Sequence, residues 1–215
     1  QGKGGEVHLT IPASRMSDLI NKPGQTVTYK GKTITYPKVS FMLSAGGSPI
    51  GHQPDVNELI EAMRTLDTIV VMEPWWTPTA KMADIVFPAT TTMERDDIAS
   101  GMSYSNDRIY AMKQIVKPRY ESKDDYEIFT LLAQRFGTEK KYTRDRTAKD
   151  WLEGLYSKSY ARREMNITFE QFWDKGSVHY EIPDEARKYV RHEAFRKDPV
   201  GNALKTETGK IQIYS

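Results

Sequence analysis

The chain has 215 residues, enough to bury a hydrophobic core in one large domain or in one domain with an appendage. Its 31 Lys and Arg residues nearly balance 29 Asp and Glu residues, and a net charge of +2 gives no field that would favour nucleic acid or an anionic membrane as a partner. The absence of cysteine excludes disulfides, thiolate metal sites and cysteine nucleophiles but leaves the redox compartment open.

Both ends of the sequence suggest a segment of a longer protein. The first residues, QGKGGEVHLT, have neither an initiator methionine nor a secretory pattern. The last residues, TGKIQIYS, start an alternating apolar pattern that predicts a strand. No apolar run approaches the roughly 20 residues of a membrane span. We therefore expect an excised or processed segment without a membrane span.

Residues 1–38 are predicted to be a lead-in of one short helix and one β-hairpin. SRMSDLINKPG has apolar residues at helical spacing and ends at Pro-Gly, and TVTYKGKTITYP alternates around Lys30, Gly31 and Lys32. The GKT within it is not a phosphate-binding loop, because Thr26 stands where that motif requires glycine.

Residues 39–137 are predicted to be an α/β core. Short continuous apolar runs, typical of parallel strands covered on both faces, alternate with helical patterns. The predicted strands are 39–43, 68–73, 84–89 and 108–116, and the predicted helices start after Asp55 and span 124–137, closed by Gly137. This order indicates a three-layer αβα, Rossmann-like domain with a mostly parallel sheet.

Residues 138–215 are predicted to be a helical and extended appendage that leads to a further C-terminal domain. Two helices with aromatic faces are expected within 148–175. The later segments SVHYEIP and KYVRHEAFRKDP are expected to be extended, with little core of their own.

Ligands of open parallel sheets bind beyond the carboxyl ends of the strands. There the sequence places Gly46 and Gly47, whose backbone can approach a phosphate or sugar closely. It also places Glu73 there, whose carboxylate can accept two hydrogen bonds from a ribose diol or from guanine. The next loop, PATTTMERDD, offers hydroxyls and Arg95. The pattern favours a nucleotide-like ligand, although the GxGxxG fingerprint is absent.

Each of these features also has a purely structural interpretation. Gly46 and Gly47 could form a tight turn, and Glu73 could be an ordinary surface carboxylate. Trp75 and Trp76 could anchor a neighbouring domain. The other structural alternatives are a helix cap at Asp96 and Asp97, an Arg95–Glu94 ion pair, and helix N-terminal charge at Asp124 and Asp125. The four histidines, His8, His52, His179 and His192, lack metal-ligand spacing, so we assign no metal ligand.

The stretch WTPTAKMADIVFPATTTMERDDI resembles the molybdopterin oxidoreductase family, in its trimethylamine N-oxide, dimethyl sulfoxide and biotin sulfoxide reductase branch. Further matches run along the chain in IPASRMSDLINKPG, KGKTITYP, SAGGSPIGHQPDVNELIEA, YSNDRIYAMKQIVKPRYESKDDYEIFTLLAQRFG, FEQFWDKG and FRKDP. The resemblance covers nearly the whole chain and is nearest to the trimethylamine N-oxide reductases.

The resemblance implies the third domain of a large enzyme that holds molybdenum between two molybdopterin guanine dinucleotides. It implies that Trp75 and Trp76 close a wall toward the pterin or another domain. It also implies that the molybdenum-ligating serine lies in an earlier domain, so this segment would have no catalytic residue and be inactive alone. The cofactor-binding residues that it implies are Gly46, Gly47, Ser48, Glu73, Arg95 and Asp125.

The implied reaction is two-electron removal of oxygen from a small N-oxide or S-oxide in anaerobic respiration. The implied partners are the remaining domains of the parent chain and an electron-donor cytochrome, and the implied location is the periplasm, reached through an upstream twin-arginine signal. Two departures affect the site: Ser48 stands where the family usually has Asn, and GHQPD replaces a more histidine-rich pattern around His52.

Two other functions remain open from the residues alone. One is a stand-alone nucleotide-binding or signalling domain, and the other is a nicotinamide-dependent dehydrogenase domain, suggested by the α/β pattern and Glu73. Exposed Trp75 and Trp76 argue against a stand-alone domain, and we expect the isolated segment to self-associate or to be partly disordered.

Overall fold

A computed structural model of the chain describes residues 10–29, 31–101, 107–206 and 208–213. The described chain starts with a 3-10 turn at Ala13–Arg15 and helix α1 at Met16–Asn21. Strands β1 (Thr26–Tyr29) and β2 (Lys32–Thr35) form the predicted antiparallel hairpin. Lys30 of the predicted turn lies outside the described residues.

The parallel sheet consists of β3 (Phe41–Ala45), β4 (Thr68–Glu73) and β5 (Ile85–Pro88), with β4 in the centre. Residues 69–72 of β4 are at most 5% exposed, as its continuous aliphatic sequence predicts. β3 begins two residues later than predicted. The carbonyl of Ser40 accepts backbone hydrogen bonds from Asp67 and Thr68 at 2.8 and 3.2 Å, so residue 40 serves the turn into β4.

Helices cover one face of this sheet. α2 (Pro49–His52) follows the glycine loop, and α3 (Val56–Met63) begins after Asp55, whose side chain accepts a 3.2 Å hydrogen bond from the Glu58 amide and so confirms the predicted N-cap. Met16 and Ile20 of α1 pack against the same core. The buried cluster consists of Ile50, Leu59, Met63, Ile69, Val71 and Ala80. Since burying one large aliphatic side chain contributes about 1.5–3 kcal/mol, this cluster holds α3 on the sheet.

The opposite face of the sheet is only partly covered. Side chains alternate along a strand, so Phe41, Val70, Met72 and Ile85 share this face. Val70 and Met72 are buried in the central strand, whereas Phe41 is 55% and Ile85 47% exposed. The α/β fold with a parallel sheet is thus confirmed, while the second helical layer is incomplete among the described residues.

A separate antiparallel sheet contains β6 (Asp97–Ser100), β7 (Arg108–Met112) and β8 (Ser177–His179), with β7 in the centre. β7 lies within the predicted strand 108–116 but does not join the parallel sheet. Because β8 follows residue 137, this sheet connects the predicted α/β core with the predicted appendage.

Helix α4 (Asp125–Arg135) is confirmed: the Asp124 carboxylate accepts from the Glu127 amide at 2.8 Å, and Gly137 has a φ of 65° after its last turn. The chain continues through α5 (Glu139–Thr143), α6 (Ala148–Tyr156), α7 (Tyr160–Arg163) and α8 (Phe169–Lys175). α6 and α8 are the two predicted helices. α5 and α7 are too short to show an apolar period.

The second sheet has its own core, formed by Ile109, Tyr156, Ala161, Phe172 and Val178. The rings of Tyr156 and Phe172 stack with centroids 4.5 Å apart. The expectation that the segment around β8 contributes little core is therefore wrong, since Val178 is 1% exposed.

The C-terminal segments differ from the prediction. KYVRHEAFRKDP is not wholly extended but contains α10 (Glu193–Lys197), preceded by α9 (Asp184–Arg187). Residues 208–213 form no strand, because among the described residues no neighbouring strand supplies a hydrogen-bond ladder to them. None of the helices in the described part of the chain has the length and apolar character needed to span a bilayer.

Candidate functional site

A cleft of about 590 Å³ opens at the carboxyl ends of the parallel strands. The loops after β3, β4 and β5 and the start of α4 form its walls. Five of the six predicted site residues line it: Gly46, Gly47, Glu73, Arg95 and Asp125. The structure thus brings together residues that are up to 79 positions apart in the sequence, and the exception among the predicted residues is Ser48.

Gly46 and Gly47 turn the chain directly after β3. Their φ angles are 70° and 80°, a left-handed conformation that side-chain-bearing residues rarely adopt. A Cβ atom at either position would meet no heavy atom within 4 Å. Backbone conformation rather than crowding therefore requires glycine here, and the loop backbone stays open on its cleft side.

Ser48 supports the glycine loop and is not part of the cleft lining. Its hydroxyl oxygen lies 2.7 Å from Oγ1 of Thr79, which also accepts a 3.2 Å hydrogen bond from the Ile50 amide. Thr79 is fully buried. This hydroxyl pair ties the loop to the turn before β5, and a direct contact between Ser48 and a ligand stays a prediction.

Glu73 ends β4, and its half-buried side chain lines the cleft. Its backbone is held in register with Pro88 of β5. Among the described residues, no hydrogen-bond donor or cation is paired with the Glu73 carboxylate. Both carboxylate oxygens are therefore available to accept hydrogen bonds from a ligand.

Arg95 reaches the cleft from the loop after β5. Its Nη1 donates a 2.8 Å hydrogen bond to the Thr90 carbonyl, and its Nε lies 3.4 Å from an Asp97 carboxylate oxygen. The alternative Arg95–Glu94 pair is not formed. Asp97 begins β6, so the alternative helix cap is not formed either.

Glu94 organises this loop from behind the cleft, a role that the sequence did not reveal. Its buried carboxylate accepts hydrogen bonds from the amide and hydroxyl of Thr91 at 2.8 and 2.9 Å and from the Arg119 amide at 3.0 Å. The Thr91 donors, above all its backbone N–H, lower the pKa of Glu94 below its ordinary value of 4.5. The loop therefore has its full set of hydrogen bonds only while Glu94 is ionised.

The start of α4 is brought to the cleft by backbone pairing. Lys123 donates its amide to the Pro88 carbonyl at 3.1 Å, and its carbonyl accepts from the Thr90 amide at 3.0 Å. Asp124 caps the helix, and exposed Asp125 faces the cleft. A helix N-terminus favours negative charge, which the carboxylates of Asp124, Asp125 and Glu127 already supply at this wall.

The cleft has an apolar rim. Trp75 lines it and is 68% exposed, whereas Trp76, 71% exposed, lies outside the lining. Met93, also in the lining, is 59% exposed. Within the described ranges, no group of three or more His, Asp or Glu side chains could hold a metal ion. His8 lies outside those ranges.

Comparison with known proteins identifies the family of this chain. The family model of molybdopterin oxidoreductases matches residues 3–135. Over 210 residues the chain is 42% identical to a trimethylamine-N-oxide reductase of Haemophilus influenzae, covering 95% of this chain and 26% of that protein. It is 41% identical to a dimethyl sulfoxide/trimethylamine N-oxide reductase of Cereibacter sphaeroides, covering 96% and 25%. The chain thus spans about a quarter of the length of these relatives.

A solved structure shares the fold. Acetylene hydratase from Pelobacter acetylenicus matches with a TM-score of 0.51 and 23% identity, covering 84% of this chain and 22% of that one. The family match includes the three parallel strands and every cleft-lining residue identified above. This chain belongs to the molybdopterin oxidoreductase family.

Proposed function

We propose that this chain binds one guanosine arm of a bis(molybdopterin guanine dinucleotide) molybdenum cofactor in a reductase of N-oxides or S-oxides, with trimethylamine N-oxide as the preferred substrate. The observation that supports it most is the cleft itself, where an arginine, an open glycine backbone and a carboxylate without a partner in the described part of the chain meet. The reductases among the relatives support the substrate class.

The cleft residues fit a guanosine group chemically. Glu73 offers two acceptor oxygens, which match either the N1–H and N2–H₂ donors of guanine or a ribose diol. Arg95 offers positive charge and N–H donors for phosphate oxygens. The backbone of Gly46 and Gly47 allows close approach, and Trp75 offers an aromatic surface.

The residues of this chain hold and orient, and they perform no bond-breaking step. When bound, the molybdenum cofactor supplies the two-electron chemistry of oxygen-atom transfer. Glu73 fixes the direction of the guanosine end, and the hydrogen-bonded loop of Thr91, Glu94 and Arg95 keeps its wall in place. Metal ligands and substrate-contacting residues would lie in the remainder of the protein.

The proposal extends to the surroundings of the enzyme. The remaining domains of the parent chain would close the cleft over Trp75 and Trp76, which are the most exposed aromatic residues at its rim. A periplasmic location and an electron-donor cytochrome go with anaerobic reduction of such oxides, and we include both in the proposal.

Metal and nucleotide analysis of the longer protein tests the cofactor. We expect about one molybdenum atom per chain by mass spectrometry and two GMP equivalents after acid hydrolysis, because each dinucleotide contains one phosphoanhydride-linked guanosine. A protein that binds NAD tightly and contains neither molybdenum nor GMP would favour the dehydrogenase alternative.

A viologen-linked assay tests the substrate. We expect faster reduction of trimethylamine N-oxide than of dimethyl sulfoxide or biotin sulfoxide. A loaded enzyme that prefers a sulfoxide would retain the family function and contradict the substrate assignment.

A further inference from the structure

The outer edge of β3 is open. β3 is terminal in the order of the parallel sheet, and among residues 10–29, 31–101, 107–206 and 208–213 no strand pairs with its outer side. The Ser40 carbonyl faces β4. Because backbone groups alternate along a strand, the N–H and C=O groups of Phe41, Leu43 and Ala45 point away from β4.

This edge lacks the features that normally protect an exposed edge strand. Such strands usually carry charge, proline or a bulge that prevents pairing with another chain. β3 reads FMLSA, with Phe41 55% and Leu43 37% exposed. The opposite edge, at β5, is bonded to Lys123. Of the two edges of the parallel sheet, only the β3 edge is unpaired among the described residues.

An apolar groove accompanies the open edge. It has a volume of about 480 Å³, and its lining includes Met16, Leu19 and Ile20 of α1 and Phe41 and Leu43 of β3. Five strand residues extend over roughly 17 Å. The groove thus offers main-chain hydrogen bonds and apolar side-chain contacts together, as β-strand addition requires.

We propose that one strand from the part of the protein outside these 215 residues occupies this edge, parallel to β3. Its chemistry would be a run of about four to six aliphatic residues, because a strand between two helical layers is apolar on both faces. The inference rests on the proposed function, since it needs the longer protein. The available polypeptide is ample, because the chain covers only 25–26% of its reductase relatives.

A second copy of this chain is the weaker occupant. Two β3 edges related by a two-fold axis would pair antiparallel. That arrangement would place an antiparallel contact inside a sheet whose other described pairs, β3–β4 and β4–β5, are both parallel. A strand of the parent chain continues the existing order and also covers Phe41.

Hydrogen exchange in the longer protein tests whether the edge is paired. We expect the amides of Phe41, Leu43 and Ala45 to exchange at least about 100-fold more slowly than in an unfolded peptide. The amides of Met42 and Ser44, which face β4, are internal controls for an intact ladder. Fast exchange at the three outer amides beside protected controls would overturn the inference.

Photo-crosslinking identifies the occupant. Phe41→p-benzoylphenylalanine should crosslink to an aliphatic peptide from outside residues 1–215, whereas Phe136→p-benzoylphenylalanine, at an exposed position away from the groove, should not label that peptide. A crosslinked dimer, a crosslink within this segment, identical labelling from both positions or no crosslink at position 41 would overturn the inference.

Different experimental results would overturn the inference and the proposed function. A longer protein without molybdenum or GMP but with protected β3 amides would overturn the function alone. A loaded reductase with rapidly exchanging β3 amides would overturn the inference alone. A mature protein confined to these 215 residues would overturn the inference directly.

Discussion

The two larger sheets differ in how completely other described parts of the chain cover them. The parallel sheet has a helical core on one face but exposed Phe41 and Ile85 on the other, and its cleft contains a carboxylate that no described residue pairs with. The antiparallel sheet has a core in which Phe172 is fully buried and stacks on Tyr156. Among the described residues, the first region leaves apolar and polar groups without partners, and the second is stabilised largely by its own side chains.

This difference separates function from stability within one chain. The cleft residues leave polar groups available, which costs stability unless a ligand pairs with them. The aromatic core has no such role and can be packed for stability alone. We therefore expect substitutions of cleft side chains to lower ligand affinity more than stability, and substitutions in the aromatic core to lower stability more than ligand affinity.

The largest expected effect is in the aromatic core. Phe172→Ala should lower the free energy of unfolding by about 3–5 kcal/mol, because it empties a fully buried ring site. Phe41→Ala, a matched change at a half-exposed ring of the parallel sheet, should cost about 1 kcal/mol or less in the 215-residue chain. Urea unfolding of both variants measures the difference. Equal losses would contradict the contrast between the two sheets.

The next effect concerns ligand affinity. Glu73→Gln replaces one acceptor oxygen with an NH₂ donor, and hydrogen bonds to a charged group are worth about 1.5–3 kcal/mol. We expect about 10- to 100-fold weaker guanine-nucleotide binding, measured as retained GMP after dialysis, with an unchanged fold. Glu58→Gln, at an exposed position on α3 outside the cleft, is the control. Equal retention in the two variants would remove Glu73 from the binding site.

A smaller effect is expected in the glycine loop. Gly47→Ala should lower stability by about 1–2 kcal/mol, because alanine resists a φ of 80° although the space is open. Gly51→Ala is the matched control: its added Cβ would meet Ser48 only at ordinary contact distance, and in α2 alanine is the better helix former. Thermal unfolding compares them, and a larger loss at Gly51 would show that crowding dominates.

The smallest expected effect is a pH dependence at the cleft loop. Since the pKa of Glu94 is lower in the folded state, its stabilisation is complete above its unfolded value near 4.5 and is lost as pH falls through the lower folded value. Glu94→Gln should flatten the acid side of the stability curve between pH 5 and roughly pH 3. Glu61→Gln, at an exposed position on α3 away from the cleft loop, is the matched control. An identical slope in all three proteins would exclude Glu94 as the titrating group.

The sequence predicted the parallel sheet and most of the cleft for physical reasons. β4 has a continuous aliphatic pattern, which is typical of a strand covered on both faces. The polar residue Glu73 stands at its carboxyl end. Glu73 and Arg95 could be assigned because parallel strands end at one edge. The family resemblance added Asp125, which its position at a helix start would not have distinguished from simple charge complementarity.

Long-range pairing explains what the sequence did not predict. β7 pairs with β8 across more than 60 residues, and no local pattern records that choice of partner. Likewise, Ser48 bonds Thr79 rather than facing the cleft, and Glu94 turns toward Thr91 and Arg119. Side-chain direction within a loop depends on such tertiary contacts, so the residue types alone left it open.

The backbone pairing at Lys123 affects which changes the site tolerates. The main-chain bonds from residue 123 to Pro88 and Thr90 place the start of α4, and any residue except proline, which has no N–H, can form them. Side-chain substitution there should be nearly silent for cofactor loading. A single-residue insertion or deletion between 118 and 123 should instead rotate Asp125 away from Glu73, so we expect cofactor loading to depend more on the length of this connection than on its composition.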